Sequence, residues 1–286
     1  MKIAAVVILY HPEAKTIENI LSYSNKVSKL YVVDNTACSD TGLVNVIRAG
    51  ISNSEYIHDG ENAGIAKRLN QVCTRAMEEG FDYIMTMDQD SSFEPDSIKN
   101  YFDCIDSYME KQQAALFGLQ HEYPAWASHT CDPETVTQLI TSGTIVNLSL
   151  FDKIGRFDED LFIDLVDFEY CYRCIVNHFL VIRFRNIFLK HSIGTIKPLK
   201  QTIISKEKER GFHSPLRLYY MVRNYLYLRP KYKKRFPTEF AINRKAILNR
   251  IKNNLLYSNK KFETLRFISR AIIDVKRNRM GKYSKK

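Results

Sequence analysis

No stretch of this sequence approaches the eighteen or so uninterrupted apolar residues that a membrane-spanning helix requires, so no such helix is expected. The apolar start, Met1–Tyr10, carries a single Lys and no small-residue cleavage site, and it runs straight into His11-Pro12. It therefore reads as a buried first strand rather than a secretory leader, and a cytoplasmic location is expected. The six cysteines (Cys38, Cys73, Cys104, Cys131, Cys171, Cys174) show no framework spacing, so reduced thiols are expected. Cys171-x-x-Cys174 lacks the two further ligands of a zinc site and reads as two small apolar residues on one helix face. Internal repeats are absent, and low complexity is confined to the basic end. Acidic residues become scarce late in the chain. From residue 201 onward there are 24 Lys and Arg against 5 Asp and Glu, whereas residues 1–200 carry 18 against 27. An acidic first part and a basic last part imply different tasks.

What remains, 286 residues at 45% hydrophobic and 26% charged, is ordinary globular material. Lys2–Tyr10 is a continuous Val- and Ile-rich run, as a strand buried on both faces requires. Further strands are expected at Leu30–Val33, Glu55–His58 and Tyr83–Met87. Helices are expected at Pro12–Val27, Leu43–Ile51, Asn62–Glu79 (closed by Gly80) and Asp96–Lys111 (with Pro95 at its start). Strands alternating with helices give βαβ units, so the fold class is α/β with a mostly parallel sheet. Ligands in such sheets bind beyond the strands' carboxyl ends, where Tyr10-His11, Asp34-Asn35, Asp59-Gly60 and Asp88-Gln89-Asp90 all fall. Beyond residue 111 the pattern is irregular. Strands are expected at Leu116–Leu119 and Leu139–Leu148, a helix at Asp164–Phe179, and a strand or hairpin at Val181–Leu189. Helices are expected at Leu216–Leu228, Glu239–Tyr257 and Glu263–Asn278, punctuated by Pro230 and Pro237.

Asp88 and Asp90 are two hard oxygen donors on one side of an extended end, a set suited to Mg²⁺ or Mn²⁺ shared with a diphosphate. An isolated Asp-x-Asp is more often a turn, and the neighbouring strand-end clusters argue for a site here. Gly60-Glu61-Asn62-Ala63-Gly64 opens a helix and offers N–H groups to an anion, or else is a simple turn and cap. Lys67 and Arg68, one turn in, either neutralise phosphate or are solvated. In Asp164–Arg173 a helix would put Asp164 and Asp167 on one face and pair Glu169 with Arg173. A carboxylate there can serve as a general base if burial raises its pKa; first-turn acids and a surface ion pair are the plainer explanation. His191 suits a neutral imidazole ligand, or a packing histidine.

Taken in order, Val7–Tyr10, Val33-Asp34-Asn35, Asn62-Ala63-Gly64 with Asn70, Met87–Ser91 and Asp164–Arg173 resemble family 2 of the inverting nucleotide-sugar glycosyltransferases, which have the GT-A (Rossmann-like nucleotide-diphospho-sugar transferase) fold. Asp-Gln-Asp-Ser, the Asp-x-x-Asp-x-Glu-x-x-x-Arg spacing, His191 and Tyr219–Asn224 are most similar to the bacterial rhamnosyltransferases. The resemblance covers about residues 1–230. It implies that Tyr10 and Asp34 line the base pocket, with Asn35 also in the donor site. Asn62, Gly64 and Asn70 would belong to the donor site, with Arg223 and Asn224 near the diphosphate or acceptor. Asp88, Asp90 and His191 would hold Mn²⁺ or Mg²⁺, Asp88 also reaching the ribose, and Asp167 would be the catalytic base. Most family members carry Glu-Asp where this chain has Val166-Asp167, and small residues where it has Lys67 and Arg68.

The activity implied is inverting transfer of a sugar, L-rhamnose from dTDP-rhamnose in the first instance, to a hydroxyl of a glycan or lipid-linked saccharide. The expected layout is a GT-A catalytic domain over residues 1–200 with a basic helical region over 201–286 packed on it. That region's basic amphipathic helices would give peripheral contact with the inner membrane face or merely be solvated. Two rivals are weaker. A sugar-nucleotide nucleotidyltransferase needs a Gly-rich basic loop after the first strand, where Tyr10-His11-Pro12 stands. A nucleic-acid-binding module leaves the Asp clusters unexplained, so no nucleic acid partner is expected.

Overall fold

The structure is a computed structural model describing residues 1–121, 130–191 and 213–284, with backbone alone at Leu43 and His191. Two compact units emerge. One comprises Met1–Phe162 and Val166–Ser192, the other Ile163–Leu165 and Ile193–Lys286. The expected boundary at residue 200 lies outside the described residues.

The first unit begins as the sequence pattern requires. Strands β1 (Ile3–Leu9), β2 (Lys29–Asp34), β3 (Ser54–His58) and β4 (Tyr83–Asp88) alternate with helices α1 (Lys15–Leu21), α2 (Thr41–Gly50) and α3 (Ile65–Glu78). β1 lies between β2 and β4, parallel to both, and β3 adds in parallel to β2. All seven β1 residues are buried. Ile3, Ala5, Val7 and Leu9 join a core with Tyr23, Ile47, Met85, Ile98 and Tyr101, while Ala4, Val6 and Ile8 are buried on the opposite face. Two-sided burial explains why the run does not alternate.

The remainder follows a different plan. After α4 (Ser97–Ser107) come β6 (Ala114–Gln120), β7 (Pro133–Thr135), β8 (Thr144–Asn147), α5 (Leu148–Ile154), α6 (Val166–Val176) and β9 (Leu180–His191), with β5 (Ser91–Phe93) preceding α4. The sheet order is β3-β2-β1-β4-β8-β6-β9-β5, with β7 also on β9. β4–β8, β6–β8, β5–β9 and β7–β9 are antiparallel, so the sheet is more mixed than the alternation of elements implied. The strand expected over Leu139–Leu148 shrinks to β8, because Gly143 (φ +78°) makes a turn and Asn147 caps α5 through Ser149 N–H.

One expectation fails outright: Cys104 and Cys131 form a disulfide. The fold brings α4 and the segment before β7 to a Cα–Cα separation of 5.5 Å, within bridging range, although 27 residues separate the two in sequence. The other four cysteines are free, and Cys171 and Cys174 are buried on α6, the packing role expected of them.

In the second unit α7 (Pro215–Tyr232), α8 (Pro237–Tyr257) and α9 (Lys261–Lys276) pack on one another. Pro237 opens α8, as expected of a proline at a first turn, but Pro230 lies inside the last turn of α7 rather than ending it. Tyr219 packs edge-on to Tyr220, Phe267 and Tyr283. No helix among the described residues is long and apolar enough to cross a membrane.

Candidate active site

Parallel register sets the first strand ends level. Leu9 pairs with Asp34, Asp34 with His58, and Ile8 with Asp88. Tyr10, Asp34-Asn35, Asp59-Gly60 and Asp88-Gln89-Asp90 thus leave the sheet along one edge. Asp34 is buried; its Oδ1 accepts from the Thr36 N–H (2.9 Å) and its Oδ2 from the Tyr56 hydroxyl (2.6 Å). Tyr10 is half exposed at this edge. Between the two candidate metal ligands, Gln89 has a structural task. Its Oε1 accepts from the Tyr10 N–H (2.7 Å), its Nε2 donates to the Tyr10 carbonyl (3.2 Å), and its own carbonyl accepts from Asn19 Nδ2 (3.0 Å). The Asp88–Asp90 turn is thereby pinned to the end of β1.

The expected third ligand is far away in sequence but adjacent in the sheet, since β5 pairs with β9 so that Ser91 faces His191. Two strand-end carboxylates with an imidazole-bearing residue beside them are a donor set that suits Mn²⁺ or Mg²⁺. Among the described residues no three His, Cys, Asp or Glu side chains cluster as a metal centre, and the His191 side chain lies outside them. Asp88 ends β4 and Asp90 follows in a turn, so the two do not share an extended segment as the spacing suggested.

Asp167 stands in the first turn of α6. Its pKa is pushed up to about 7, mainly by burial and further by the charge of Asp88, while N–H groups of Phe168 and Thr141 hold it down. The residue retains partial exposure and borders a small cavity with Leu139, Thr141, Phe157 and Tyr170. A carboxylate tuned to neutral pH beside a second acidic cluster is matched to proton abstraction. Asp164 does not share its helix face. It precedes α6 with φ +68°, in the second unit, where Arg217 forks onto its carboxylate (2.7 and 2.8 Å). The Glu169–Arg173 pair forms as expected (2.6 Å), but Glu169 is buried, and Arg173 Nη1 also donates to the Arg156 carbonyl (2.7 Å).

Several expected donor-site residues serve the fold in visible ways. Asn35 Oδ1 accepts from the Ala63 N–H (2.9 Å), and its Nδ2 donates to Asn62 Oδ1 (3.0 Å), which also accepts from the Gly64 N–H (3.1 Å). Gly64 has φ +85°, and a Cβ there would stand 2.5 Å from the Phe162 ring and 2.7 Å from its carbonyl. Only glycine fits. Asn70 is buried; its Nδ2 donates to the Phe157 carbonyl (2.9 Å) and Glu159 (2.8 Å), and its Oδ1 accepts from the Phe157 N–H (2.8 Å). Gly64 and Asn70 therefore hold the stretch Phe157–Phe162 that runs towards α6. Lys67 is exposed, whereas Arg68 is buried and turned inward. In the second unit Arg223 is fully buried, its Nη1 donating to the Gly281 carbonyl (2.6 Å) and its Nε to Asn224 Oδ1 (3.0 Å). Asn224 Nδ2 donates in turn to the carbonyls of Ile163 (2.8 Å) and Asp164 (2.9 Å).

Sequence reasoning missed Tyr56 and did not foresee the bracing roles of Gln89 and Arg68 at this edge. Tyr56 reaches Asp34 only because β3 pairs with β2, and no spacing announces that. Gln89 was visible as the middle residue of Asp-x-Asp, but its partners Tyr10 and Asn19 lie 79 and 70 residues away.

Residues 6–112 match the family model "Glycosyl transferase family 2". The dTDP-rhamnosyl transferase RfbF of Shigella flexneri is 32% identical, over 91% of this chain and 89% of its own length. The chain belongs to glycosyltransferase family 2. Solved structures agree on the fold. GalNAc-T7 with UDP, GalNAc and Mn²⁺ superposes with a TM-score of 0.62 at 10% identity over 96% of this chain, which spans 57% of that one. The mannosyltransferase PcManGT of Pyrobaculum calidifontis, in complex with GDP-Man and Mn²⁺, gives 0.59 at 13% identity over 97% and 87% of the two chains. TarS 1-349 of S. aureus in complex with UDP-GlcNAc gives 0.51 at 17% identity over 96% and 80%. The architecture is GT-A. As a family 2 member the protein is a nucleotide-sugar glycosyltransferase, which sets aside the nucleotidyltransferase and nucleic-acid readings.

Proposed function

We propose that this enzyme transfers L-rhamnose from dTDP-rhamnose, with inversion, to a hydroxyl of a glycan or lipid-linked saccharide in cell-surface polysaccharide synthesis. Identity to a dTDP-rhamnosyl transferase over most of both chains supports the donor. The observation that carries the mechanism is the half-buried Asp167 with its pKa raised to about 7. Asp167 accepts the proton of the acceptor hydroxyl as that oxygen bonds to the anomeric carbon. The bond from this carbon to the leaving phosphate oxygen breaks, and its electron pair departs with dTDP. One displacement without a covalent intermediate inverts the configuration.

Asp34, whose Oδ2 already accepts from Tyr56, would accept the pyrimidine N–H, and the exposed Tyr10 would cover the base. Asp88, Asp90 and His191 would hold Mn²⁺ or Mg²⁺, a Lewis acid that offsets charge on the leaving diphosphate. Residues 1–200 would be the catalytic domain and 201–286 a basic helical region. Its exposed residues include Lys245, Lys252, Arg266 and Lys276 beside Leu248, Leu256, Phe262 and Ile273, a mixture suited to an anionic membrane surface on the cytoplasmic side. Co-sedimentation with phosphatidylglycerol vesicles, lost at high salt, tests that part. The donor is tested by a panel of dTDP-, UDP- and GDP-sugars with Mn²⁺, Mg²⁺ or EDTA, following nucleotide release. dTDP-rhamnose with metal should give the fastest release; release from no donor at all would contradict the reading.

A further inference from the structure

The sequence left Arg68 as a departure from its family, either a phosphate contact or a solvated charge. The structure allows neither. Arg68 is 1% exposed. Its Nη1 donates to Asp59 Oδ2 (2.7 Å) and Gln71 Oε1 (3.0 Å), and its Nη2 to Asp59 Oδ1 (2.5 Å) and the Glu61 carbonyl (2.6 Å). Its Nε donates to Asn35 Oδ1 (3.0 Å). A guanidinium has five N–H groups, and each has an acceptor here, so none is left for a phosphate. The partners come from three places, the end of β2 (Asn35), the loop between β3 and α3 (Asp59, Glu61) and α3 itself (Gln71). The same Asn35 oxygen receives the Ala63 N–H, and Asn35 Nδ2 reaches Asn62. Arg68 and Asn35 together close a ring that fixes the Asp59–Gly64 loop against the strand end bearing Asp34.

We propose that Arg68 is the positioning residue of the donor pocket, setting the distance between Asp34-Asn35 and the Asp59–Gly64 loop without touching the nucleotide. The inference rests on the reading that the nucleotide binds at this edge. A lysine cannot replace the fork, since three donors on one point cannot span a bidentate carboxylate, a carbonyl and an amide together. Asp59 is held ionised by the same fork, its pKa lowered to about 2. Its carboxylate is about half exposed and can turn to water when the guanidinium is lost, leaving the loop free to shift.

The test uses the full chain with Mn²⁺ and dTDP as probe, by isothermal titration. Arg68→Met should raise the dTDP Kd tenfold or more and Arg68→Lys by less, while kcat at saturating donor stays within about threefold of wild type. Arg75→Met is the control for general destabilisation. It removes a half-exposed arginine of the same helix that pairs with Glu55 and Glu79, and it should leave the Kd unchanged. In Arg68→Met/Asn35→Ala the Kd should rise no further than about twofold beyond the worse single variant, because both act through one ring. An unchanged Kd in Arg68→Met, an equal rise in Arg75→Met, or full additivity would overturn the proposal. Wild-type enzyme that bound no dTDP would remove the pocket itself, and with it this role.

Discussion

The two halves of the catalytic sheet use their carboxylates differently. In the parallel half, β1 to β4, the acids stand at strand ends and are fixed by neighbours from other strands, Asp34 by Tyr56 and Thr36 and the Asp88–Asp90 turn by Gln89 on Tyr10. In the mixed half, Asp167 begins a helix, and burial shifts its pKa to about 7. In the proposed mechanism the first arrangement would hold the donor diphosphate together with its metal. The second would let Asp167 take up the acceptor's proton near neutral pH. Ground-state binding and turnover should therefore separate between the halves.

The largest effect expected of the parallel half comes from removing both Asp88 and Asp90 as Asn. Catalytic efficiency should fall on the order of 10³-fold or more, with the Mn²⁺ response lost. Metal-dependent turnover that survived in that variant would break the division. A pH series sharpens it next. A base must be ionised, so turnover should fall about tenfold per pH unit as pH drops below about 7, while dTDP binding changes little from pH 8 to 6. A rate independent of pH over that range would return Asp167 to a structural role. The smallest effect is on stability, where the halves meet. Gly64→Ala forces a β-carbon at φ +85° onto Phe162 and should cost roughly 2–4 kcal/mol by denaturant unfolding. A cost below about 0.5 kcal/mol would show that the contact yields easily.

The halves also differ in how much of them was legible. β1, β2 and β4 are long apolar runs buried on both faces, and local sequence suffices for that. β5 and β7 are three residues each, too short for a period, and exist because β9 offers them an edge. The Cys104–Cys131 bridge and the pairing of Ser91 with His191 are products of tertiary approach. The candidate positions Asp34, Asp88, Asp90 and Asp167 stood out in the sequence as motifs. The work of Asn35, Asn62, Gly64 and Asn70 was not, since a polar residue in a ligand motif looks the same whether it faces the ligand or braces the loop. Arg68 is the clearest case: its five acceptors come from four residues, just past β2, in the loop between β3 and α3, and on its own helix, and only folding assembles them.

On the proposed mechanism, donor binding and proton transfer reside in different halves of the sheet. The most direct measurement takes Asp167→Asn, recording dTDP affinity by titration and sugar transfer from the same preparation. Transfer should fall at least 10³-fold, with a dTDP Kd within about twofold of wild type. Transfer at the wild-type rate, or dTDP binding lost along with it, would contradict the account.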